Sequence, residues 1–147
     1  MNITTNKVIL YEDSASFATQ VRNHLEWDNK GLIVEIAANK ERFLELLEET
    51  PKEEILLIIL DKYIQGENMI CEISKYLNDN KITHIILSSE KPNAKELNSL
   101  RKNKHCLNFF LKDSISFVLF QLNFAISDSY QHALKLSAIT KARIGGC

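Results

Sequence analysis

The stretch "LLIILDKYIQG", residues 56–66, decides the fold. A nearly unbroken apolar run of strand length, closed by turn-forming residues, is the pattern of a strand buried on both faces in the middle of a parallel sheet. The run ends in a single aspartate, Asp61. A carboxylate at the rim of a core is costly unless something pairs with it, so its partners must lie at the ends of other strands.

Working outward, short apolar runs alternate with longer segments of helical period, the signal for a parallel sheet with helices on both faces. The predicted strands are 7–11 "KVILY", 32–37 "LIVEIA", 55–60 "ILLIIL", 83–88 "THIILS" and 107–111 "LNFFL". Phe17, Val21 and Leu25 predict a first helix; Phe43, Leu44 and Leu47, behind an Asn39 cap, predict a second. Ile70, Ile73 and Leu77 predict a third, and Leu97 with Leu100, after Pro92, a fourth. The last helix starts near Asp113 or Ser114, and its "ISFVLFQLNFAI" is apolar almost all round, more than one sheet face covers. Continued to about Thr140 it would reach roughly 40 Å, longer than a small domain is wide, and should project, dimerise or dock.

The chain has 147 residues, suited to one domain, with 45% hydrophobic and 25% charged residues. No segment approaches the roughly 18 apolar residues of a membrane span, and the start "MNITTNKVILYED" is no export signal, so a cytoplasmic location is expected. A net charge of −1 without a dense basic run gives no case for direct nucleic-acid binding. Cys71, Cys106 and Cys147 lack zinc or disulfide spacing and read as free thiols; His24, His84, His105 and His132 are scattered and read as structural or surface residues. Gly-rich phosphate loops and D-x-D pairs are missing, which leaves nucleotide binding, dehalogenase-type and Toprim-type chemistry with little support.

In an open parallel sheet the ligand site lies at the carboxyl ends of the strands. The first strand ends in Glu12-Asp13, the third in Asp61, the fourth in Ser88-Ser89-Glu90 and the fifth in Lys112-Asp113. Clustered carboxylates repel unless a cation sits among them, and oxygen ligands suit a hard divalent ion, Mg²⁺ or Mn²⁺. A lysine and a hydroxyl beside them suit phosphoryl oxygens, which leaves one carboxylate free to attack phosphorus.

These residues resemble the receiver domain of two-component response regulators, over roughly residues 6–127. The resemblance implies a flavodoxin-like, doubly wound α/β fold over residues 1–127, five parallel strands in the order 2-1-3-4-5; the run of the last helix would carry residues 128–147 beyond it as an extension and tail. It implies Asp61 as phosphoacceptor, with Glu12, Asp13, Asp61 and the Tyr63 main-chain carbonyl as metal ligands. Lys112 and Ser88 would serve the phosphoryl group, Ser88 and Phe109 would switch, and Tyr63 and Glu90 would tune dephosphorylation. The implied partners are a histidine kinase or histidine phosphotransfer protein and a downstream protein or C-terminal output domain. A homodimer through residues 115–139 is a further expectation. Transfer would be self-catalysed, without turnover of a separate substrate. The other reading is a phosphorylation-independent pseudo-receiver that acts as a binding module. Three positions depart from the family: Gln65 where proline is usual, Asn68 or Met69 where glycine is, and Asp113 where proline follows the lysine. The departures bear on loop shape and remove no ligand or nucleophile.

Overall fold

Strand parity organises this molecule, because successive side chains of a strand point to opposite faces of the sheet. The computed structural model describes residues 4–145, with side chains described for all of these except Cys71 and residues 132–145. Five strands, β1 (Lys7–Tyr11), β2 (Ile33–Ala37), β3 (Ile55–Asp61), β6 (His84–Ser88) and β7 (Cys106–Leu111), pair in parallel in the order β2-β1-β3-β6-β7. Counting only these five, that is the expected 2-1-3-4-5, with β3 in the centre. A separate antiparallel pair, β4 (Tyr63–Ile64) with β5 (Glu67–Asn68), follows β3 and was not among the predicted strands.

One face carries Val8, Leu10, Leu57, Ile59, Ile85 and Leu87, packed against α1 (Ala15–Asp28) and α5 (Ile115–Gly145). The other carries Ile9, Tyr11, Ile58, Leu60 and Ile86, packed against α2 (Lys40–Glu49) and a π-helical turn at Ile70–Ser74 that leads into α3 (Lys75–Asp79). Tyr11 and Phe43 stack there with ring centroids 4.5 Å apart, worth roughly 1 kcal/mol beyond their burial. The helix starts are capped as their sequences suggest: Asn39 Oδ1 accepts from the Arg42 amide at 2.8 Å and Ser114 Oγ from the Phe117 amide at 3.2 Å.

Two apolar assignments change. In α2, Leu46 is buried and Leu44 is exposed, since 43, 46 and 47 share the inward stripe. In α4 (Ala94–Arg101), Leu97 is exposed, Leu100 packs on the core edge, and the buried residue is Glu96. On α5, Val118, Leu122, Ala125 and Ile126 are buried while Phe117, Phe120 and Phe124 stand on the opposite side, Phe120 being 71% exposed. That helix is therefore apolar on two faces, as its sequence implied. The boundary expected at residues 127/128 falls within α5, and His132, Lys135, Lys141, Arg143 and Cys147 lie outside the residues whose side chains are described. Among the described residues no helix is long and apolar enough to cross a membrane.

His84 is fully buried at the start of β6. Its Nδ1 lies 2.9 Å from the Ile82 carbonyl oxygen and therefore carries the proton, while Nε2 accepts from Ser74 Oγ at 2.8 Å; Asn103 Nδ2 donates to the same Oγ at 2.6 Å. Burial pulls the imidazole down to about 4, against the Ile82 carbonyl, which favours the cation. The unfolded chain has the higher pKa and takes up the proton first, so stability present above pH ~6.5 is lost as pH falls toward 4. Chemical denaturation at pH 7 and pH 4.5 should therefore show His84→Gln losing roughly 2–3 kcal/mol less than the wild-type chain over that interval. Equal losses would contradict this account of His84.

Candidate functional site

Parity also builds the site. Glu12 follows Val8 and Leu10, Asp61 follows Leu57 and Ile59, and Lys112 follows Phe110, so all three point to the α1/α5 side at the carboxyl edge. Lys112 Nζ lies 2.7 Å from Glu12 Oε2 and 3.2 Å from Asp61 Oδ2, and 4.5 Å above the Phe17 ring centroid. Its backbone amide donates to the Ser88 carbonyl at 2.7 Å, fixing the end of β7 to the end of β6. Glu12 is buried, its second oxygen accepting from the Ser14 amide at 3.0 Å at the start of α1.

Asp13, the next residue, is exposed and accepts from the Gln65 amide at 3.0 Å. Carboxylate oxygens of Glu12, Asp13 and Asp61 lie within 4.8 Å of one another. Burial raises the pKa of both Glu12 and Asp61, and each is raised further by a neighbouring carboxylate; the Lys112 ammonium works against both shifts. Burial outweighs the lysine, so the cluster has charge that a cation would relieve. Three oxygen donors at this spacing fit a hard divalent ion, and the donor set is wrong for a soft one.

The remaining predicted residues stand around this centre. Ser88 is buried at the end of β6, with opposite parity; its Oγ donates to the Glu90 carbonyl at 2.7 Å and accepts from the Glu90 amide at 3.1 Å. The hydroxyl is thus tied to its own loop. Glu90 itself is exposed. Phe109 is half-buried and packs against the α2/α3-side core, the face that also takes Ser88 by parity. Tyr63 is 39% exposed in β4. It pairs with Asn68 two steps from the hairpin loop, next to the Lys62–Met69 hydrogen-bonded position; by antiparallel alternation the ladder leaves its carbonyl free.

The loop that departs from the family has a definite form. Gln65 and Gly66 have φ of +53° and +81°, the two left-handed positions of a two-residue type I′ hairpin joining Ile64 to Glu67. Proline, fixed near −65°, fits neither the backbone nor the Gln65 amide bond to Asp13. The sequence did contain the signal, a Gly at the second of two loop residues.

Sequence reasoning missed Lys62 and Glu96 outright. Lys62 shares parity with Ile58 and Leu60 and so points away from Asp61, toward α4. Its Nζ meets Glu96 Oε1 at 2.9 Å, both side chains being buried. Burial opposes ionisation of each, but their mutual bond and the polar contacts to Glu96 prevail, raising the lysine and lowering the glutamate, so both stay charged. Cys106 is a free thiol pushed up to about 12 by burial, too high for a nucleophile.

No family model matches the sequence, and no curated protein matches it. Solved structures do. A response regulator receiver domain protein from Clostridium thermocellum is 17% identical over 89% of this chain and 98% of its own, at a TM-score of 0.69. A CheY-like response regulator receiver domain protein from Methanospirillum hungatei is 13% identical over 88% of this chain and 99% of its own, at 0.68. A response regulator receiver protein from Pseudomonas putida is 17% identical over 83% and 98%, at 0.66. The chain thus has the fold of CheY-like response regulator receiver domains, over nearly the whole length of those domains.

Proposed function

We propose that this domain accepts a phosphoryl group on Asp61 in two-component signalling, from a histidine kinase or histidine phosphotransfer protein. The observation that carries the reading is the cluster at the carboxyl edge, in which the oxygens of Glu12, Asp13 and Asp61 lie within 4.8 Å and Lys112 contacts both buried carboxylates. An Asp61 oxygen forms the new P–O bond as the P–N bond of the donor's phosphohistidine breaks. The bonding electrons stay with the imidazole nitrogen. Mg²⁺ held by Glu12, Asp13 and Asp61 would neutralise phosphoryl oxygens during transfer. Lys112 exchanges its contact with Asp61 for a phosphoryl oxygen, keeping the added charge paired.

Ser88 would reach that oxygen by a rotamer change that gives up both bonds to Glu90. Phe109, of the same parity, would follow into the space behind it. The surface of α4, β7 and α5, with Leu97, Leu107 and Phe117 exposed, would then differ between two populated states, to be read by a downstream protein or output domain.

The pseudo-receiver reading is favoured by one feature: Asp13 and α4 are already held, without a phosphoryl group, by the hairpin and by the Lys62–Glu96 pair. Intact-mass measurement after acetyl phosphate and Mg²⁺ decides between them. We expect a gain of one phosphoryl group in the wild-type chain and none in Asp61→Asn; no gain in either leaves the binding-module reading. Tyr63→Ala should shorten the acyl-phosphate lifetime by admitting water, and an unchanged lifetime would remove Tyr63 from that role.

Self-association through α5 belongs to the same proposal. Residues 114–127 carry no charge, so two copies can meet on the Phe117, Phe120 and Phe124 stripe without like-charge repulsion. Light scattering across a concentration series should give a dimer mass that Phe120→Ser with Phe124→Ser reduces to the monomer. A monomer throughout would refute it.

A further inference from the structure

The ion pair beside the site has no part in the phosphoryl chemistry, yet it is the most deeply buried charge pair among the described residues, with side chains 2% and 5% exposed. Glu96 accepts from three donors. Its Oε1 accepts from Lys62 Nζ at 2.9 Å and from the Asn93 amide at 3.0 Å, and its Oε2 accepts from Asn68 Nδ2 at 3.0 Å. Asn93 Oδ1 in turn accepts from the Glu96 amide at 2.8 Å, so Glu96 also completes the capping box of α4. Asn68 ends the β4–β5 hairpin, and the tip of that hairpin donates from Gln65 to Asp13. Lys62 is covalently next to Asp61; its amide donates to the Leu87 carbonyl at 2.8 Å and its carbonyl accepts from the Met69 amide at 2.7 Å.

We propose that Lys62, Glu96 and Asn68 form a buried clasp that joins the end of β3, the β4–β5 hairpin and the first turn of α4 into one cooperative unit, through which events at Asp13 and Asp61 reach α4. The reason is that neither charge can be released alone. If α4 moved without Lys62, the ammonium would lose its carboxylate partner, and if the loop moved without α4, the carboxylate would lose its ammonium. The same departure would uncap the helix. Gln65 at the tip and Asn68 at the base are three residues apart and joined through the Ile64–Glu67 pair, so displacement of one acts on the other. The unit therefore moves whole or stays put. The cooperativity is a property of the ligand-free chain; only its use in signalling rests on the phosphoacceptor reading.

Amide hydrogen exchange on the full chain tests the clasp without any ligand. Glu96→Gln and Lys62→Met should each raise exchange at residues 62–69 and 93–101 together, by at least about tenfold. A rise in one segment alone, or in neither, overturns the proposal. Asp13→Ala changes an exposed residue and leaves the ion pair intact, which guards against variants that fail to fold. It should speed exchange at 93–97 as well as at 63–68, and an effect confined to the hairpin likewise overturns the proposal. Adding Mg²⁺ with beryllofluoride to the wild-type chain is a separate arm: no response at residues 12, 13 and 61 counts against the phosphoacceptor reading, while the clasp is judged on the ligand-free exchange.

Discussion

One ammonium between two buried carboxylates holds the carboxyl edge of this sheet together. Lys112 reaches Glu12 and Asp61 from a strand at the sheet edge, with Glu12 on β1's end and Asp61 on the central strand. Without it, Glu12 would keep only the Ser14 amide and Asp61 would lose its counter-ion, both in a largely desolvated place. Even with it, burial keeps both pKa values raised. The cluster is therefore held in a state that a divalent ion or a phosphoryl group would change strongly. Such electrostatic tension on a rigid parallel sheet is the usual condition of a functional site.

Adjacent residues on β3 and just beyond it are committed to different faces by parity alone. Asp61 turns toward α1 and α5 and meets the lysine; Lys62 turns toward α4 and meets Glu96. The acidic cluster and the buried Lys62–Glu96 pair are thus separated by one peptide bond. The hairpin closes the circuit from the other side, with its tip on Asp13 and its base on Glu96. Where the family resemblance would place a proline, the left-handed Gln65 supplies an amide that a proline does not have. The loop holds Asp13 through hairpin geometry.

What could be read from the sequence follows from which physical signals are local. The five main strands and their carboxyl-edge residues were legible, because apolar runs end where the sheet ends and polar residues follow at once. Glu12, Asp13, Asp61 and Lys112 come together as expected. The two-faced character of α5 was legible for the same reason, since Phe117, Phe120 and Phe124 cannot share a face with Val118 and Leu122. The Lys62–Glu96 pair was not. Each residue alone reads as a solvated surface charge, and their meeting depends on a separation of 34 residues and on the packing of α4. Asn93 followed by Glu96 is a legible capping box, but nothing local says that its glutamate is buried. The short β4–β5 pair was hidden in a two-by-two register too brief to show alternation.

The central claim is that Glu12, Asp13 and Asp61 are one divalent-cation site pre-assembled by the fold. Calorimetric titration of Mg²⁺ into the wild-type chain, beside a Glu12→Gln, Asp13→Asn double variant, tests it most directly. The account predicts saturable one-to-one binding in the wild-type chain, lost in the double variant. Equal binding by both, or no saturable binding by the wild-type chain, would contradict it.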